Sequence, residues 1–343
     1  MDSSEKDKCP IIFLPGILGS RLYTQDGQLV WFSIYGISRN TENLAIENEL
    51  AVKNNFTNLN GKPAVEREYG SVGLYLPLID RLCADFPDRE IYLFSYDFRK
   101  SCADTADKLN EQIEFILNNS AHEKVDVVGH SMGGLVISSY AEKYGTEKLN
   151  KIVTLGTPYE GAPNCIYVTV NGAFFGLPYY LIEQSGITRE MVSKYPGVIE
   201  LFPSVEYLKN HPFKEDEKTL STEETENILR DKFGELYDIS QAKIFSRNVN
   251  GAHKIAALNN SYFAVGKNRL TTISVIFKDG ITKKIYSRKG DGDVPYDSGT
   301  MFGLLEKLGE DDKGRKRFVS FSVKHNNLLI APEPLNWIRS VLS

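Results

Sequence analysis

Val125-Asp126-Val127-Val128-Gly129-His130-Ser131-Met132-Gly133-Gly134-Leu135-Val136-Ile137 is the stretch that decides how this sequence folds. A β-branched apolar run stops at a glycine, and a stretch of helical character follows almost at once. A strand that passes into a helix over so few residues forces the residue at the apex, Ser131, into strained backbone geometry. Side chains at the flanking glycine positions would collide. The serine hydroxyl then stands at a helix N-terminus, where the helix dipole favours developing negative charge. A chemically silent glycine turn has the same five-residue pattern, but the strand before it and the helix after it argue for a nucleophile elbow.

Working outward, strands and helices alternate on both sides. Ile11 to Leu14 runs into Pro15-Gly16 as a buried strand entering a tight turn. Leu78, Ile79, Leu82 and Phe86 fall at helical spacing before the strand Ile91 to Phe94. Leu109, Ile113, Ile116 and Leu117 mark the helix before Val125. The helix that begins after Ser131 stops at Gly145, ahead of the strand Ile152 to Leu155. This alternation predicts a mostly parallel sheet with helices on both faces, and with the elbow at its centre the expected class is the α/β-hydrolase fold.

Two segments interrupt the pattern. From Tyr23 to Gly70 the chain is polar and Asn-rich without a sustained period, and reads as an excursion beside the site. After Gly156-Thr157-Pro158 the alternation breaks, and Ser221-x-x-Glu224 forms a capping box ahead of an amphipathic stretch with Ile228, Leu229, Phe233 and Leu236. The expected organisation is a core first part over 1–163, an inserted helical cap or lid over 164–250 and a core second part over 251–343. Strand signals return at Tyr262 to Val265, Ile273 to Phe277 and Val319 to Val323, and a last amphipathic helix carries Leu335, Trp337, Ile338 and Val341.

A serine hydroxyl becomes a nucleophile when a base takes its proton, and the base needs an acid to fix its tautomer. In this fold the chain order is serine, acid, histidine. His253 comes too early for an acid to precede it, whereas His325 follows the last strand and an acidic loop, Gly290-Asp291-Gly292-Asp293-Val294-Pro295. Asp291 is the preferred acid and Asp293 the alternative; both have a plainer reading as an Asx-type turn or a stray calcium ligand. The tetrahedral oxyanion needs two backbone N–H groups, expected from Met132 and from Ile17 in the turn Leu14 to Ser20. The aromatics between Tyr167 and Tyr180, with Phe174, Phe175, Tyr179 and Tyr180 foremost, are expected as acyl or lid contacts; the plainer reading is packing of cap on core.

Taken in order, Phe13 to Leu22, Trp31, Tyr96-Asp97-Phe98-Arg99, Gly129 to Gly134, Gly156-Thr157-Pro158, Gly290 to Pro295 and His325 resemble the lecithin:cholesterol acyltransferase family, which includes phospholipases A and bacterial lipase-like proteins. The resemblance spans nearly the whole chain. It implies that the family's nucleophile, acid and base fall on Ser131, Asp291 and His325, with Ile17 and Met132 at the oxyanion. The segment Tyr23 to Gly70 has no cysteine pair, unlike the disulfide-closed loop of some animal members. The implied activity is ester hydrolysis, with acyl transfer to an alcohol as the alternative and an inactive binding protein as a third reading.

Bulk properties set the remaining bounds. At 343 residues, with 41% hydrophobic and 25% charged residues, the chain is an ordinary globular one. A net charge of −5 gives no basic face for nucleic acid. Cys9, Cys83, Cys102 and Cys165 lack the spacing of a metal site or a disulfide framework, and no metal or organic cofactor is expected. The polar start, MDSSEKDKCP, does not read as a signal peptide. The expectation is a cytoplasmic chain, or one whose leader is missing, without a transmembrane segment. Its expected partner is a lipid or other ester, met through transient contact with a lipid interface. Oligomeric state is not written in these motifs.

Overall fold

The short apolar runs become the six strands of a central sheet, because each is flanked by amphipathic segments able to cover it. The computed structural model describes residues 8–31, 41–171 and 188–343. The central strands are β1 Ile11–Leu14, β2 Ile91–Leu93, β3 Val125–His130, β4 Leu149–Leu155, β5 Ser261–Gly266 and β6 Phe318–Phe321. Their spatial order is β6-β5-β4-β3-β1-β2, and each neighbouring pair is parallel. The longer helices are α1 Leu76–Asp85, α2 Cys102–Asn118, α3 Met132–Tyr144, α4 Pro163–Asn171, α5 Thr222–Phe233, α6 Glu235–Ser246 and α7 Pro332–Leu342.

Strand alternation divides the core in two. Ile11 and Phe13 of β1, with Val128, Val153 and Leu155, face α1 and α7 through Leu78, Ile79, Leu82, Leu335, Ile338 and Val341. Ile12 and Leu14, with Val125, Val127 and Ile152, join the opposite core, which contains Leu109, Ile113 and Ile116 of α2 and Leu135, Val136 and Tyr140 of α3. Each such side chain contributes about 1.5–3 kcal/mol on burial. A parallel sheet covered on both faces and carrying a strand–serine–helix elbow is the α/β-hydrolase fold. The chain runs from β1 out to the edge strand β2, then returns to the other side of β1 to form β3. The order therefore reverses between β1 and β3, and ligand crevices in open α/β sheets lie beyond the strand ends at such a point.

The second half departs from the sequence reading in one respect. Thr271–Lys278, which contains the expected strand Ile273 to Phe277, lies outside the central sheet and pairs antiparallel with Ile281–Ser287. Asp279 and Gly280, both at positive φ, make the two-residue turn that forces this hairpin. Lys214–Glu215 and Lys218–Thr219 extend it to a second, four-stranded sheet. Asn171 at the end of α4 is tied to it by paired bonds, Thr282 N to Asn171 Oδ1 and Asn171 Nδ2 to Thr282 O, each 2.8 Å. The capping box forms at α5: Glu224 N donates to Ser221 Oγ at 3.1 Å and Ser221 N to Glu224 Oε2 at 2.8 Å. No helix among the described residues is long and apolar enough to cross a membrane.

The opposite end of the sheet is closed by a buried ion pair. Asp126 at the start of β3 receives Arg89 at 2.5 Å, and its other oxygen accepts Asn150 Nδ2 at 2.7 Å and Lys151 N at 2.8 Å. Arg89 also reaches the carbonyls of Cys9 and Leu342, so both ends of the described chain are held against β3. Removing one partner leaves an unpaired buried charge. Asp126→Ala should therefore cost about 3–5 kcal/mol in urea unfolding, against less than about 1 kcal/mol for removal of an exposed partner such as Glu111. Equal small costs at the two sites would show that Arg89 is satisfied without the carboxylate.

Candidate active site

β3 ends at His130 and α3 begins at Met132, with Ser131 between them at φ 53° and ψ −122°. A non-glycine residue in this region carries about 1–3 kcal/mol of strain, so its neighbours must fix it. Ser131 N donates to Leu155 O at 2.8 Å, and Gly134 N donates to Ser131 O at 3.0 Å. The glycines are steric requirements. A Cβ on Gly133 would stand 2.5 Å from the Leu14 carbonyl oxygen, and one on Gly129 would stand 2.8 Å from backbone atoms of Gly133 and Gly134. The start of α3 thus packs directly on the end of β1.

The turn after β1 lies against the serine. A Cβ on Gly16 would be 2.8 Å from Ser131 Cβ, and Gly19 N closes the turn on Gly16 O at 3.0 Å with Leu18 at φ 63°. Three aromatic side chains hold successive backbone groups of this turn. Tyr96 Oη donates to Pro15 O at 2.8 Å, Gly16 N donates to Tyr75 Oη at 2.9 Å, and Trp31 Nε1 donates to Leu18 O at 2.9 Å. Ile17 sits between the held residues, and Met132 opens α3 on the other side of Ser131.

The acidic loop and the histidine meet beyond β5 and β6. His325 Nδ1 donates to Asp291 Oδ2 at 2.7 Å; because a carboxylate only accepts, a proton is on Nδ1, and in the neutral ring Nε2 is left as an acceptor. The Asp291 carbonyl accepts His325 N at 3.0 Å, and its Oδ1 accepts Asp293 N at 3.0 Å and Val294 N at 2.7 Å. Asp293 does not pair with the imidazole. It lines the cavity that also holds Ser131, His130, His325 and Ile17, whose volume is about 310 Å³. Leu18, Trp31, Val72, Leu74 and Leu201 make much of the remaining wall apolar.

Two histidines in contact are driven in opposite directions. Their ring centroids are 4.6 Å apart. Burial alone would lower the pKa of His325, but the Asp291 charge and hydrogen bond, with a smaller push from Asp293, outweigh it and raise the group above its ordinary 6.5. Burial, then the neighbouring His325, holds His130 well below that value, so His130 is neutral. Burial raises Asp293 above the usual carboxylate range, opposed in part by His325.

Ser131, His325, Ile17 and Asp293 of the expected site residues therefore share one cavity, with Asp291 behind His325 and Met132 behind Ser131. Phe174, Phe175, Tyr179 and Tyr180 lie outside the described residues. The sequence reading missed Tyr75 and His130 as parts of the site. Tyr75 carries only a helical-spacing signal and lies 59 residues from the glycine it holds. Among the described residues, no cluster of three or more His, Cys, Asp or Glu side chains is placed to hold a metal ion.

Comparison with known proteins adds three findings. The family model described as lecithin:cholesterol acyltransferase matches residues 86–262. Two Arabidopsis thaliana proteins are similar in sequence. Phospholipase A(1) LCAT3 is 27% identical over 127 residues, 34% of this chain and 28% of that protein. Lecithin-cholesterol acyltransferase-like 4 is 24% identical over 230 residues, 56% of this chain and 42% of that protein. The chain thus matches less than half the length of either relative. A chain of the Tle4-Tli4 complex superposes with a TM-score of 0.70 at 16% identity, covering 97% of this chain and 98% of that one, a likeness of fold.

The contact between Gly133 and the end of β1 is testable by itself. Gly133→Ala places its Cβ against backbone carbonyls that cannot rotate away, and should cost about 1–3 kcal/mol in chemical denaturation. Gly27→Ala, where a Cβ meets open space at positive φ, should cost about 1 kcal/mol or less. A Gly133→Ala protein as stable as the parent would mean that β1 and α3 can separate.

Proposed function

This chain belongs to the lecithin:cholesterol acyltransferase family, and from that premise we propose that it is a serine carboxylic-ester hydrolase working through an acyl-enzyme on Ser131. The observation that carries the proposal is the 2.7 Å bond from His325 Nδ1 to Asp291, made by a ring that opens on the same cavity as Ser131. Ser131 Oγ attacks the acyl carbonyl while its proton passes to His325 Nε2, and Asp291 stabilises the resulting imidazolium. The N–H groups of Ile17 and Met132 take the oxyanion. Collapse expels the alcohol, which leaves with the proton from His325. Water then adds to the acyl-enzyme by the reverse proton path and releases the carboxylic acid.

The largely apolar cavity fits the acyl part of a lipid-like ester, and an interface would be met from the water side. Residues 1–163 and 251–343 are read as the hydrolase core and 164–250 as a cap over it. An alcohol in place of water would make the same chemistry an acyl transfer.

Mass-spectrometric product analysis of the chain and Ser131→Ala, given phospholipid, triacylglycerol and short-chain esters with a sterol and a long-chain alcohol present, separates the outcomes. Free fatty acid formed only with Ser131 supports the hydrolase, and new acceptor esters replace it with the transferase. Parent-level turnover in Ser131→Ala removes the mechanism, and silence of both proteins favours another acyl substrate or a binding role. Because the base must be neutral and Asp291 raises its pKa, kcat/KM on a short-chain ester should fall as pH drops, with a midpoint on the alkaline side of 6.5. Asp291→Asn should move that midpoint to lower pH and reduce the rate throughout. A parent midpoint below 6.5 would remove Asp291 as the partner that sets the base.

A further inference from the structure

We propose that Tyr75 is a positioning residue for the oxyanion site, tying the turn that carries the Ile17 N–H to the histidine beside the nucleophile. This rests on the acyl-transfer reading of Ser131. The Tyr75 hydroxyl accepts Gly16 N–H at 2.9 Å and faces His130 Nδ1 at 3.3 Å. Its remaining partner among the described residues is His130 Nδ1, so the buried phenol has its one proton satisfied only if it donates to that nitrogen, with the His130 proton on Nε2. Burial raises the Tyr75 pKa and lowers that of His130, so the phenol stays protonated and the imidazole stays an acceptor.

The ring beneath the hydroxyl fixes the rest of the turn. A Cβ on Gly19 would lie 2.6 Å from Tyr75 Cε2, and one on Gly16 would lie 3.2 Å from Tyr75 Oη. Tyr75 thus fills the volume that the two turn glycines leave empty, while its oxygen occupies the Gly16 N–H. That N–H is consumed by the phenol, and the next one along, Ile17, is left for the oxyanion. His130 carries the contact onward through its ring, which packs on His325 at 4.6 Å between centroids. Tyr75, His130 and His325 therefore connect the oxyanion turn to the base. An oxyanion donor displaced by a fraction of an ångström loses much of its effect in the transition state and little in substrate binding.

The test compares the full chain with Tyr75→Phe, using a short-chain p-nitrophenyl ester, a trifluoromethyl ketone that forms a tetrahedral adduct, and a phosphonate that labels serine. Tyr75→Phe should lower kcat by about 10- to 100-fold, keep KM within about threefold, and raise the ketone Ki in proportion to the fall in kcat. A variant that melts at a lower temperature yet keeps kcat and Ki would make Tyr75 structural only and overturn the proposal. Should Tyr75→Phe not fold, the His130 pair decides. His130→Asn, whose amide oxygen can accept the phenol, should retain at least about tenfold more activity than His130→Leu. Equal activity in the two overturns the link. Absence of a phosphonate adduct on Ser131 of the parent chain would overturn the nucleophile reading and this proposal with it, whereas a labelled parent with an unaltered Tyr75→Phe overturns this proposal alone.

Discussion

The structure depends on how little volume is available where the end of β1, the end of β3 and the start of α3 meet. Ser131 holds a backbone conformation that a free peptide would avoid, and it is held by close contact on three sides. Gly133 lies on the carbonyls of Leu14 and Pro15, Gly129 on the backbone of Gly133 and Gly134, and Gly16 on the serine's own Cβ. The strain is stored locally and offset by the two cores that clamp β1 and β3 from either face. A methyl group at any of these positions would separate elements whose approach defines the site. The same contact brings the turn after β1 within reach of the serine.

Charge is distributed at this junction with the same economy of space. Two imidazoles in ring contact cannot both be charged without strong repulsion, and the fold divides the roles by environment. His325 has a carboxylate partner and is raised; His130, facing a neutral phenol, is lowered by burial and then by His325. A neutral His130 avoids like-charge repulsion beside His325, although its Nε2 is buried without a hydrogen-bond partner among the described residues, and it leaves His325 as the one ring of the pair that can carry a positive charge. The two rings then differ in what each can do for Ser131, although they lie side by side.

Much of this was legible in the sequence because local chemistry dictates it. The elbow follows from a β-branched run, glycines at fixed offsets and a helix start, and the parallel sheet follows from alternation of strand and helix signals. The capping box at Ser221 and Glu224 is equally local. What escaped is what joins distant residues. The strand Ile281–Ser287 carries Lys283 and Lys284 in its middle and shows no apolar alternation; only the Asp279-Gly280 turn signals it. Arg99 stood out as part of a motif, but its work is visible only in three dimensions. Its guanidinium pairs with Asp97 and donates to the carbonyls of Leu44, Ala45 and Asn48, which fastens the Tyr23 to Gly70 excursion to the core. Tyr75 is a further case, since nothing near it in sequence indicates that Gly16 needs a partner.

At Asp291 and Asp293 the plain structural reading and the proposed functional one fall on the same object. An Asx-type turn is the ordinary explanation for aspartate in a Gly-Asp-Gly-Asp loop, and the turn is there: Asp291 Oδ1 accepts the N–H groups of Asp293 and Val294. Those two bonds fix the carboxylate's orientation and leave Oδ2 pointing at His325 Nδ1, while the Asp291 carbonyl accepts His325 N and sets the imidazole's height above the loop. Asp293 does not take this place; its own N–H is one of the donors that orient Asp291. It is turned instead toward the cavity, where burial raises its pKa. The order Asp-Gly-Asp is therefore asymmetric: the first carboxylate is held by the backbone of the second, so the first has one oxygen fixed and the other directed at His325.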